Sequence, residues 1–162
     1  MAMEVIAWLI ALPLLGTVTG LRTFTAMAVL CWYARLGYLP VQGDWPFWTA
    51  KLSVTLLFTI LAAGELVADK QPWMPDRIRF GSVLTKLALG GLIGAIVANS
   101  LNGAEIEGII LGMLGVLVGT YGGFLVRREI VRKGQCKDWQ AAAIEDIVAI
   151  GCAIFAMGAV TA

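Results

Sequence analysis

The chain is written in long apolar runs separated by short polar segments, and the run lengths carry the first information. A helix rises about 1.5 Å per residue, so crossing the hydrocarbon core of a bilayer takes about 20 mostly apolar residues. Residues 50–69, 80–99, 105–126 and 140–161 each meet that length. The stretch 4–36 is longer, roughly 50 Å as a single helix. Pro13, Gly16 and Gly20 sit inside it and Arg22 follows them. That predicts a tilted, kinked or broken first helix, with two half-length helices in a re-entrant hairpin as the alternative. The whole pattern predicts an all-α fold, a single transmembrane helical domain over 1–162 with about five spans.

The polar segments fit as connectors. Residues 37–48 mix Pro and Gly with Tyr38, Trp45, Phe47 and Trp48, the composition of an interfacial loop. Residues 70–79 form a polar turn broken by Pro72 and Pro75, with Trp73 at headgroup level. Residues 100–104 make a short turn around Asn102 and Gly103, and 127–138 make a basic loop. Lys and Arg are enriched in cytoplasmic loops, so their distribution sets the orientation, and only Arg35 and Lys51 fall on the opposite side. Lys70, Arg77 and Arg79 lie in one loop, and Arg127, Arg128, Arg132, Lys133 and Lys137 in another. With five spans both loops are cytoplasmic, the N-terminus is cytoplasmic and the C-terminus is outside. A re-entrant hairpin over 4–36 would overturn the N-terminal assignment and leave the loops where they are.

Composition agrees with a lipid solvent. Hydrophobic residues make up 59% of the chain and charged residues 14%, against about 45–50% and about 25% in soluble domains. The net charge of +1 argues against nucleic acid, which needs a strongly basic face. No Lys or Arg precedes the first apolar run, so that run is read as a retained helix rather than a secretory signal. The absence of His excludes a His-based triad or zinc site. Cys31, Cys136 and Cys152 are odd in number, far apart and in no CxxC pair, which is the pattern of apolar filler. There is no GxSxG and no Walker loop, so no enzyme, cofactor or resident metal is expected.

Two constellations remain. The first is glycine. Gly108, Gly112, Gly115, Gly119 and Gly122 recur every three or four residues and share one helix face, which Gly123 widens. Gly16 with Gly20, and Gly90 with Gly94, add further GxxxG pairs. In lipid, small residues let helix backbones approach closely. The partner is either another helix of the same chain or a second copy in a homo-oligomer. Leu12, Leu15, Gly16 and Gly20 match Leu111, Leu114, Gly115 and Gly119 at one constant offset. With five spans the two segments run in opposite directions, as an inverted repeat requires.

The second constellation is charge within apolar surroundings. Arg22, Glu65, Asp69, Lys86, Glu145 and Asp146 all fall inside or at the margin of the predicted spans. A charge at the bilayer centre costs about 2.5–3.5 kcal/mol even on insertion scales. Asp69 and Lys70 lie near a helix end and Lys86 about two turns inside its span, where snorkelling reduces that cost. Arg22, Glu65, Glu145 and Asp146 need a partner or a purpose. One reading is a buried ion pair that sets helix register, and the other is a polar site or proton path facing a cavity. A carboxylate cluster can also hold Mg²⁺ or Ca²⁺, although this spacing does not single that out. Arg22 is expected to pair with at least one of Glu65, Glu145 or Asp146.

The segments GLRTFTA at 20–26, GELVADK at 64–70 with Pro72 following, and IEDIVAIG at 144–151 resemble the bacterial membrane proteins grouped as domain of unknown function family 4126. The resemblance runs over most of the chain. It implies a multi-spanning protein of the bacterial inner membrane, and it places Arg22, Glu65, Asp69, Glu145 and Asp146 on the family's polar motif positions. The expected function is a small transporter or channel for an unidentified solute. The alternative is a scaffold or assembly subunit whose buried charges are structural. A water-filled cavity beside Arg22 would favour transport, and a dry, paired cluster would favour structure.

Overall fold

The computed structural model describes residues 2–41, 44–68, 80–134 and 138–161. Six α-helices cover most of them: α1 (Ala2–Leu21), α2 (Thr25–Arg35), α3 (Leu52–Ala68), α4 (Phe80–Ser100), α5 (Glu105–Arg132) and α6 (Asp138–Thr161). A short 3-10 helix, Trp45–Ala50, precedes α3. No strand occurs among the described residues, and the fold is all-α as predicted. Phe80–Ser100, Glu105–Ile130 and Trp139–Thr161 are long and apolar enough to cross a membrane, and the described apolar parts Trp8–Leu21 and Leu52–Ala68 are shorter. Helix α5 runs six residues past the predicted end of its span, because RREIVR contains no Pro or Gly and consists largely of good helix formers. It stops where Gly134 takes a left-handed φ of 66°.

The first apolar stretch is broken, and the break is a reversal. Helix α1 passes through Pro13, Gly16 and Gly20 without interruption and ends with the Arg22 N–H donating to the Val18 carbonyl. Gly16 lies against Gly112 and Gly115, and Gly20 against Gly119, so α1 and α5 run in the same direction. Gly94 lies against Gly108 and Gly90 against Gly112, so α4 and α5 are antiparallel, joined by a tight turn with Asn102 at φ 54°. Arg127 of α5 reaches Glu145 near the start of α6, so α6 returns antiparallel to α5. Arg22 lies beside Ala142 and Asp146, whereas the Tyr33 hydroxyl donates to the Ile154 carbonyl at 3.3 Å. Helix α2 therefore follows α6 and runs opposite to α1.

Residues 4–36 thus form a helical hairpin, as the alternative to a single kinked helix supposed, but with unequal arms of 20 and 11 residues rather than two half-length helices. Two corrections follow. The described starts and ends of the chain, α1 and α6, reach the same end of the bundle, so the expected placement of the termini on opposite sides gives way. The offset match between α1 and α5 is not an inverted repeat, because the two helices are parallel neighbours. Their matched glycines are contact partners.

The core lies between α1, α4, α5 and α6, with Leu12, Leu15, Ile93, Ile96, Ala149, Ala153 and Met157 fully buried, and it continues into α2 through Met27, Leu30 and Cys31. Helix α3 packs on α2 and on the 3-10 helix. Large apolar side chains such as Ile60, Phe80, Ile106, Ile147 and Phe155 are exposed around the periphery. In water such a surface would drive aggregation, and in lipid it is the ordinary outer face of a bundle.

Candidate functional site

A helix leaves its first N–H groups and last carbonyls without intrahelical partners. A reversal inside a helical layer therefore exposes both kinds of orphan at one place, where water is scarce. Residues 22–24 are that place. The carbonyl end of α1 is met from two helices: Lys86 Nζ of α4 donates to the Gly20 carbonyl at 2.8 Å, and Thr120 Oγ1 of α5 donates to the same oxygen at 3.2 Å. The amide end of α2 is met from a third. Glu65 of α3 accepts the Thr23 N–H on one carboxylate oxygen at 2.7 Å and the Phe24 N–H on the other at 3.0 Å. The signs suit the helix dipoles, with a cation at the carbonyl end and an anion at the amide end.

Arg22 occupies the turn itself. Its residue is 1% exposed, and its guanidinium forms an ion pair with Asp146, itself 7% exposed. It also reaches the Ala142 carbonyl at 3.4 Å. Arg stays charged under accessible conditions, so burial must be met by a partner rather than by losing the proton. Glu145, one residue before Asp146, points to a different helix and lies 3.7 Å from Arg127. Asp146 is eight residues into α6 (138 to 146), about 12 Å along its axis. The cluster is therefore inside the helical layer rather than on its rim.

Of the expected site residues, Arg22, Glu65, Lys86 and Asp146 meet around the hairpin tip, and Glu145 stands beside them. Asp69 lies outside the described residues. Lys86 is 3% exposed, so its position about two turns from the helix end does not lead it to solvent. Sequence reasoning missed Arg127, which was placed in a surface loop, and Thr120, whose hydroxyl carries no distinguishing signal in a Gly-rich helix. The backbone groups of Gly20, Thr23 and Phe24 were also missed, since nothing in a sequence marks an orphan carbonyl. Arg22, Lys86 and Arg127 against Glu65, Glu145 and Asp146 cancel in formal charge. Among the described residues no three His, Cys, Asp or Glu lie close enough to hold a metal ion. Cys31 is buried, Cys152 is half-buried and Cys136 lies outside the described residues.

The glycines fix the helices that carry these groups. A Cβ at Gly94 would collide with the Gly108 carbonyl, one at Gly112 with the Gly90 carbonyl, and one at Gly119 with the Thr17 carbonyl. Gly16 and Gly115 meet each other's backbone in the same way, and Gly20 closes against Val116, Gly119 and Thr120. Gly122 departs from the expected face: a Cβ there would meet nothing within 4 Å. Its partner helix, α1, has already ended at Leu21.

The family model described as Domain of unknown function (DUF4126) matches residues 9–160, nearly the whole chain. The chain belongs to this family. No curated protein and no solved structure matches it. The three segments that resemble DUF4126 proteins each supply a residue to the cluster: Arg22 with the donating N–H groups of Thr23 and Phe24, Glu65, and Glu145 with Asp146.

Proposed function

We propose that this DUF4126 chain is a small multi-pass protein of the bacterial inner membrane that passes a small solute or ion, with the α1–α2 tip as the closed point of the path. The observation that carries the reading is the chain reversal at 22–24 inside the helical layer, with Arg22 and Asp146 paired at it. Irregular backbone at membrane depth is tolerated where protein buries it or a cavity faces it, and broken helices of this kind carry the binding sites of many transporters. Ionisable groups at that depth are expensive and usually functional. A purely structural contact would be cheaper if built from apolar side chains, since replacing buried ion pairs by well-packed hydrophobes is often neutral or stabilising. In this reading the 127–134 end is cytoplasmic, following its Lys and Arg residues.

A second reading has its own observation. The tip is paired and largely buried: Arg22 is almost fully buried, and Glu65 has both oxygens engaged. That favours a scaffold or assembly subunit in which the charges lock the hairpin in place. Proteoliposomes separate the two. Under the transport reading, purified protein raises the flux of at least one member of a panel of monovalent ions and small polar solutes above that of protein-free vesicles. The double variant Arg22→Gln/Asp146→Asn, which leaves no buried charge unpaired, then removes the gain while its helical circular dichroism is retained. Protein-free rates across the panel would overturn transport and leave the scaffold.

A further inference from the structure

Helix α5 has 28 residues, about 42 Å of length, against a hydrocarbon core of about 30 Å. The excess emerges at one end, and its composition is one-sided. From residue 127 to residue 133 there are four cations, Arg127, Arg128, Arg132 and Lys133, and one anion, Glu129. Arg127 belongs to the pair with Glu145, and Glu129 is shared by Arg132 at 2.9 Å and Lys133 at 3.3 Å, so Arg128, Arg132 and Lys133 against one carboxylate leave a net positive charge. Arg128 is exposed and has no carboxylate partner among the described residues; its guanidinium lies 5.7 Å over the Phe124 ring. Just before these cations, Tyr121, Leu125 and Val126 are exposed apolar surface. Trp139, at the same end of the bundle, is exposed as well.

The spacing orders these groups. Tyr121, Phe124, Arg128 and Arg132 follow one another at three and four residues, so they form one stripe along the helix. The stripe is apolar up to Phe124 and cationic beyond it, with a sharp boundary between Val126 and Arg127. An acyl chain suits the first part, and a phosphate suits the second, where guanidinium groups offer paired N–H donors.

We propose that the 121–133 face of α5 binds an anionic phospholipid, its phosphate between Arg128, Arg132 and Lys133 and its acyl chain along Tyr121 and Leu125. Charge complementarity selects this occupant: a zwitterionic headgroup brings an ammonium that the net positive surface repels, whereas phosphatidylglycerol brings none. Each net positive charge near an anionic surface contributes roughly a fivefold preference, so the net two left by Arg128, Arg132 and Lys133 against Glu129 contribute on the order of 25-fold.

The test uses the full chain in nanodiscs of phosphatidylcholine alone or of phosphatidylcholine mixed with phosphatidylglycerol. The thermal midpoint is measured, together with lipid retained in native mass spectrometry. The parent protein is expected to retain phosphatidylglycerol and to gain thermal stability from it, and the gain shrinks as salt is raised. Arg128→Gln/Arg132→Gln/Lys133→Gln should lose both effects. Arg35→Gln/Lys51→Gln, at the other end of the bundle, should keep them. A triple variant that still prefers phosphatidylglycerol would overturn the proposal. The salt series needs no variant, and a parent protein indifferent to phosphatidylglycerol at low salt would overturn it too.

Discussion

The guanidinium of Arg22 pairs with the carboxylate of Asp146, so the turn between the first two helices is fastened to the last one. Lys86 and Glu65 fasten the two flanking helix ends, from α4 and α3. With Thr120 of α5, which also donates to the Gly20 carbonyl, four helices converge on a three-residue reversal. Each contact answers a need created by the reversal itself: an orphan carbonyl, two orphan amides and a buried cation.

If the Arg22–Asp146 pair carries this fastening, removing one partner leaves an uncompensated buried charge, at a cost of about 3–5 kcal/mol. Arg22→Ala is expected to destabilise strongly in detergent, and adding Asp146→Asn should recover part of the loss. A double-mutant cycle on unfolding reads the recovery as a coupling energy. The same cycle with Glu145→Gln, whose carboxylate lies against Arg127, should show the smaller coupling. Additive effects of Arg22 and Asp146 substitutions would show the pair to be unimportant.

The glycines make a contrast within a single helix. A side chain at Gly115 would drive into the Pro13 carbonyl and the Gly16 backbone, whereas one at Gly122 would meet open space. Gly115→Leu should cost at least the ~1–3 kcal/mol typical of overpacking. Gly122→Ala should be neutral or stabilising by up to about 1 kcal/mol, the usual helix preference for Ala over Gly. Thermal midpoints of the two variants in one detergent decide it. Equal tolerance at both positions would mean that α1 and α5 are not in backbone contact.

Topology follows from the hairpin. With α2 reversing α1, tags at the N-terminus and the C-terminus should report the same side of the membrane. In a background lacking Cys31, Cys136 and Cys152, a cysteine at position 133 should resist a membrane-impermeant thiol reagent in intact cells, and one at position 102 should react. Tags on opposite sides would restore a single first span. Labelling at 133 from outside would reverse the orientation.

Run length and composition were enough to determine the fold class and most helix boundaries, because the hydrocarbon thickness and the helix rise are fixed quantities that any apolar run must match. The cost of burying charge likewise marked Arg22, Glu65 and Asp146 before any contact was known. The sequence also showed a glycine register shared by Gly16 and Gly115, yet not its meaning, since the same match serves an inverted repeat or two parallel neighbours. Only the tertiary structure decided between them. The direction of α2 depends on contacts that Arg22 and Tyr33 make far along the chain, with Asp146 and Ile154. The same holds for the partners of the break. Whether Glu65 meets an arginine or two backbone amides depends on where α3 ends relative to residues 23 and 24, and no spacing within α3 encodes that. An ion's cost is local and legible in the sequence, whereas its partner is set by the packing of whole helices.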